Sequence, residues 1–192
     1  IGKSQAVWLW DGEQRLVHLT VAGEDGAALD PAGALYRNLL AAIDGARPPY
    51  QPLRVAPCRY LDFGLRAGLG IDPRYETPKV LQAAGARVLE AFGFAARAFG
   101  QPVHGAEVLA VLQGVPGVQW VDLDSLVLDG GLNTGLNPGL GSGPGAGLRA
   151  GLSSVTARRS NGPGATLPAR TARWQQGSLQ PAELLRPDPA NI

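Results

Sequence analysis

The sequence predicts an α+β fold: a small, mainly antiparallel sheet with helices on one face, in a ferredoxin-like or split βαβ arrangement, joined to a long Gly/Pro-rich extended loop. Three observations carry that expectation. Ala6–Trp10 and Arg15–Val21 are β-rich runs on either side of Asp11-Gly12-Glu13-Gln14, and Asp-Gly between such runs is a strong hairpin signal. From Tyr60 to Ile71 apolar residues (Leu61, Phe63, Leu65, Ala67, Leu69, Ile71) alternate with Tyr60, Asp62, Gly64, Arg66, Gly68 and Gly70, the pattern of a half-buried strand inside a sheet. Between and after these strands lie segments with helical periodicity and recognisable start and stop residues.

Taken in order, the first hairpin places Val17, Leu19 and Val21 on one face, with His18 and Thr20 opposite, so His18 is expected on the strand surface. Asp30-Pro31 has the chemistry of a helix start, Leu35, Leu39, Leu40 and Ile43 form its apolar stripe, and Gly45 with Pro48-Pro49 ends it. A strand begins near Leu53, and Asp72-Pro73 closes the long alternating run that follows. Thr77-Pro78 opens a second helix, with Val80, Leu81, Ala84, Val88, Leu89 and Phe92 as its buried stripe, reaching about Gly93. Phe99-Gly100-Gln101-Pro102 then forms a turn, Ala106–Gln113 a short helix with Glu107 in its first turn, Val115-Pro116-Gly117 a second turn, and Val118–Leu126 a strand. In that last strand Val121 and Leu123 face the core while Trp120, Asp122 and Asp124 face away. Phe63, Leu65, Val88, Leu89, Phe92, Val108, Leu112 and Val121 are expected to be buried together.

From Asp129 the composition changes to a glycine- and proline-rich run that offers leucines singly and has neither helical nor strand period. The expected organisation is therefore an α+β domain over residues 1–128, a low-complexity insertion over 129–178 that acts as an intermolecular strap, and a C-terminal edge strand or strap over 179–192. Prolines 181 and 187 confine that last piece to an edge.

Composition removes several function classes. The formal net charge is +1, which argues against a strongly acidic or basic partner, although residues 130–182 hold Arg149, Arg158, Arg159, Arg170 and Arg173 with no Asp or Glu. Cys58 is alone and His18 and His104 are the only histidines, so neither an internal disulfide nor a zinc set is expected. There is no methionine, as expected of a fragment or processed product, and no run approaches the ~18 apolar residues of a membrane span. Phosphate-loop, dinucleotide and G-x-S-x-G signatures are absent. Asp122 and Asp124 share a strand face but lack a third ligand, so no catalytic, metal or cofactor-binding residue is expected.

The stretch AFGQPVHGAEVLAVLQGVPGVQWVDLDSL, residues 98–126, resembles the C-terminal region of baseplate J-like proteins, wedge components of contractile phage tails and phage-tail-like injection systems. Gly100-Gln101-Pro102-Val103, Ala106-Glu107-Val108 and Val115-Pro116-Gly117-Val118 match that family's turn, helix start and strand entry. Ala106 stands where a serine is expected, leaving His104 or Gly105 as the cap. The resemblance extends to residues 52–94 and, loosely, to 8–47 and the tail, and fails over 129–177.

It implies a structural, non-enzymatic subunit that binds other wedge subunits and copies of itself, assembles in the cytoplasm and ends in a tail-like particle. No cofactor, small-molecule substrate or membrane insertion is expected. Trp120, Arg158, Arg159, Arg170, Arg173 and Trp174 are the candidate partner-binding residues, since aromatic and arginine side chains dominate binding hot spots. Two other classes compete. A ferredoxin-like nucleic-acid module could use the arginine-rich segment 149–174 with Trp174 for stacking, but the sheet lacks a paired-aromatic string. A small hydrolase has no identifiable nucleophile or base.

Overall fold

The computed structural model describes residues 1–128 and 164–192. Strands β1 (Lys3–Trp10) and β2 (Arg15–Ala22) form the expected antiparallel hairpin, in register from Lys3 opposite Ala22 to Trp10 opposite Arg15. The Asp11 carboxylate accepts from the backbone N–H groups of Glu13 (3.0 Å) and Gln14 (2.8 Å), bonds that hold its pKa below the usual carboxylate range, and Gly12 supplies φ 100°. Helix α1 (Ala34–Ala46) follows, then strand β3 (Leu53–Pro57), which pairs parallel with β2. The order in this first sheet is β1-β2-β3.

After Cys58 the chain passes directly into β4 (Arg59–Ile71), the central strand of a second sheet. Helix α2 (Thr77–Phe92), a two-residue strand β5 (Val103–His104), helix α3 (Gly105–Gln113) and strand β6 (Val118–Leu128) come next, β6 running antiparallel to β4. Gly117 turns the chain into β6 at φ 94°. Beyond residue 163 the short strands β7 (Thr166–Leu167), β8 (Arg173–Gln175) and β9 (Ser178–Gln180) precede β10 (Glu183–Pro187). β7 pairs with β5 and β8 with β9, while β10 adds in parallel to the edge of β4 over Arg59–Phe63.

The fold is thus α+β as expected, but its longer strands divide between two mixed three-stranded sheets, each with one parallel and one antiparallel pairing, beside the two-stranded ladders β5-β7 and β8-β9. The ferredoxin-like order, with one mainly antiparallel sheet, is not the arrangement seen. The reason is the continuity of β3 and β4, which carries one extended run out of the first sheet and into the second.

The main core lies between the second sheet and helices α2 and α3: Phe63 and Leu65 from β4, Val80, Ala84, Val88 and Phe92 from α2, Val108 and Leu112 from α3, Leu123 and Leu126 from β6, and Leu185 from β10. Phe63 and Phe92 meet edge to face at 6.1 Å between ring centroids. Two expected core members are displaced. Leu89 is 39% exposed, because α2 buries the strict i+4 line Val80, Ala84, Val88, Phe92 and turns Leu81 and Leu89, one residue further round, toward solvent, and Val121 of β6 is only half-buried. Residues 164–178, expected inside the insertion, belong to the folded body: Ala165 and Leu167 enter the main core, and Ala172 enters a second one. That second core, of Ala22, Phe99, Ala172, Ala182 and Leu184 with Leu9 and Tyr60 packed against it, joins the first sheet to the C-terminal strands.

Local differences have local causes. Asp30 starts a turn and not a helix: its carboxylate accepts from Ala32 N (2.9 Å) and its carbonyl from Gly33 N (2.9 Å), so α1 begins one turn later, capped by Gly33. Of its stripe, Leu35 is exposed and Leu39, Leu40 and Ile43 half-buried, while Tyr36, whose hydroxyl donates to Val55 O at 2.7 Å, is the buried residue. His18 is not on the surface. It is buried with Leu16 and Thr20 because the C-terminal segment lies on that face of β2: the Thr20 hydroxyl accepts from Ala182 N at 3.1 Å and lies 3.4 Å from His18 Nδ1. Burial lowers the His18 pKa.

Candidate assembly interface

Alternation along β1 leaves Ser4, Ala6, Trp8 and Trp10 exposed and Lys3, Gln5, Val7 and Leu9 half-buried. Cross-strand pairing puts Trp8 in line with Val17 and Leu53, and Ala6 in line with Leu19 and Val55, so these apolar side chains form rows across one face of the first sheet. Trp8 is 62% and Trp10 55% exposed, large values for residues whose burial is ordinarily favourable by kilocalories. On the opposite face Lys3 Nζ donates to Ala95 O at 3.1 Å and to Arg97 O, and lies 4.9 Å from the Phe94 ring centroid.

The expected partner-binding residues are scattered. Trp120 lies flat over β4 on the outer face of the second sheet, so close to Gly70 that a Cβ there would come 2.0 Å from the indole Nε1, and it is 56% exposed. Trp174, in β8, packs against Gly12 at the tip of the first hairpin and remains exposed. Arg173 is held internally, with Nη2 3.1 Å from Glu183 Oε1 and Nε donating to Gln175 Oε1 at 2.9 Å. Arg170 has an exposed side chain, while its backbone N–H donates to Glu183 Oε2 at 3.0 Å. Arg158 and Arg159, like residues 129–163 of the strap expected over 129–178, lie outside the described residues. Asp122 and Asp124 do not act as a matched pair: a register shift in β6 falls at Asp124, and Asp122 stands beside Gly68.

Other charged contacts latch elements together. Arg97, almost fully buried, donates from Nη1 to Glu107 Oε1 at 2.6 Å and from Nη2 to Pro102 O, and sits 5.3 Å from the Phe92 ring centroid, tying the segment before β5 to α3. Arg186 of β10 pairs with Asp62 of β4 and stacks over Tyr60 at 4.7 Å. Burial raises the pKa of both the Cys58 thiol and the Tyr60 phenol. Among the described residues no three His, Cys, Asp or Glu side chains group to hold a metal, and no helix is long and apolar enough to cross a membrane.

Trp8 and Trp10 were visible in the sequence only as strand residues. Their signal is an uncharged run, Ser4 to Trp10, with two aromatics at i and i+2, but whether that face is covered depends on how far α1 reaches across the sheet.

No curated protein matches this chain. Residues 1–56 match the family described as Baseplate J-like central domain. The matched residues comprise β1, β2, α1 and almost all of β3, the first sheet and its helix, and not the 98–126 stretch that carried the resemblance in the sequence. The first sheet and its helix are thus similar to the central domain of baseplate J-like proteins, a match that is consistent with a baseplate J-like protein and supports a structural role in a phage baseplate.

Proposed function

We propose that this chain is a wedge subunit of the baseplate of a contractile phage tail or phage-tail-like injection system, and that it works by docking to neighbouring wedge subunits and copies of itself. The observation that carries this reading is the match at residues 1–56, falling on the one sheet whose outer strand exposes two tryptophans. Aromatic side chains left in water by a well-packed domain are the usual anchors of protein contacts. The exposed Trp120 and Trp174 extend the same logic to the second sheet and the hairpin tip.

The proposed role is mechanical and involves no turnover. Substituting Asp122 and Asp124 together by asparagine is expected to leave particle assembly unchanged. An enzymatic or metal-dependent activity that vanishes in the double variant contradicts the reading. The nucleic-acid alternative receives little support, since Arg173 is bonded internally and Trp120, on the outer face of the second sheet, stands beside Gly68, Gly70 and Asp122 with Arg66 as the exposed cation of that face of β4.

A further inference from the structure

The edge of β1 has a property that the docking proposal does not by itself require. Within the first sheet the odd-numbered residues of β2 direct their backbone groups toward β3, as Val17 N donating to Pro52 O (3.0 Å) and Val21 O accepting from Cys58 N (2.8 Å) establish. The even-numbered residues of β2 therefore face β1, and in the observed register their partners are Lys3, Gln5, Val7 and Leu9. The backbone N–H and C=O groups of Ser4, Ala6, Trp8 and Trp10 consequently point outward, along an edge that pairs with nothing among the described residues.

Edge strands are ordinarily blunted by proline, a bulge, a charge or brevity. β1 has none of these from Ser4 to Trp10: it runs in continuous register with β2, and its single charge, Lys3, lies at one end and is turned inward. Its sequence is also complementary to itself. If two copies meet antiparallel about Val7, Ser4 faces Trp10 and Ala6 faces Trp8, so each indole lies against a small side chain. That register joins all the outward backbone groups between Ser4 and Trp10, and leaves Val7 opposite Val7 as a pair without mutual hydrogen bonds.

We infer that β1 is the contact between two copies of this chain, pairing antiparallel about Val7 to fuse two three-stranded sheets into one of six strands. The inference rests on the assembly reading and names its partner and register.

Sedimentation of the full chain across a concentration series tests it. The wild type is expected to dimerise. Ala6→Pro removes only an outward N–H, so it should keep the far-UV spectrum and melting midpoint while raising the dimer dissociation constant by about 100-fold, one donor being lost and one ring added in each copy. In a Cys58→Ser background, Val7→Cys should form an intermolecular disulfide under mild oxidation and Ala6→Cys should not. A monomeric wild type, an Ala6→Pro form that dimerises unchanged, or cross-linking equally efficient at both positions overturns the inference. A wild type that is monomeric yet incorporates into baseplates defeats the strand pairing alone, whereas a dimer as described that never enters particles defeats the assembly reading alone.

Discussion

Thr20 and His18 show how a single residue's setting is decided by chain far away in sequence. Thr20 Oγ1 is the acceptor for the buried Ala182 N–H, so Thr20→Val, equal in shape but without an acceptor, should destabilise by about 1–3 kcal/mol in denaturant unfolding. His18 carries a folded-state pKa lowered by burial from 6.5, so the unfolded chain takes up its proton first on acidification. Its contribution to stability is therefore complete above about pH 6.5 and is lost as the pH falls through the lower folded value. Wild type should weaken over that interval relative to pH 7.5, and His18→Gln should lose this part of the pH dependence in urea titrations. The sequence could not assign His18 to the interior, because β2 is covered on both faces and a strand so covered does not announce which side is the deeper.

At the scale of the element, helix α2 gives the clearest contrast. Phe92→Ala should cost about 3–5 kcal/mol and Val88→Ala somewhat less, since both side chains are fully buried, while Leu89→Ala, at 39% exposure, should cost less than about 1 kcal/mol; chemical denaturation of the three variants decides it. The long alternation of β4 was legible because one face is apolar and the other is glycine and polar residues. The hairpin turn and the Pro-containing start of α2 were legible from local chemistry, and the α3 cap was narrowed to His104 or Gly105, of which the fold uses His104. What was not legible is non-local. The register shift at Asp124 moves Leu126 into the core where strict alternation would have put Ser125, and the parallel addition of β10 to β4 joins residues more than a hundred positions apart. Of the interface, the sequence offered tryptophans and arginines by type, and the fold then sorted them: Arg173 went to an internal ion pair and Trp8 to the surface.

Across the whole molecule, the C-terminal strands hold the two sheets together, for Ala165, Leu167 and Leu185 sit in one core and Ala172, Ala182 and Leu184 in the other. Removing residues 164–192 should abolish cooperative unfolding, whereas replacing 129–163 by a flexible linker should change stability by no more than about 1 kcal/mol, as calorimetry of the two deletions would register. Among the described residues the same architecture leaves β1 at the edge of the first sheet with Trp8 and Trp10 exposed, which is why assembly is the reading placed on it. The most direct measurement of that claim is the amount of this chain in purified tail particles, by quantitative mass spectrometry after high-salt washing. The account predicts a fixed ratio to the other baseplate proteins that survives the wash. Absence from intact particles, or a ratio that varies with expression level and falls with washing, would contradict it.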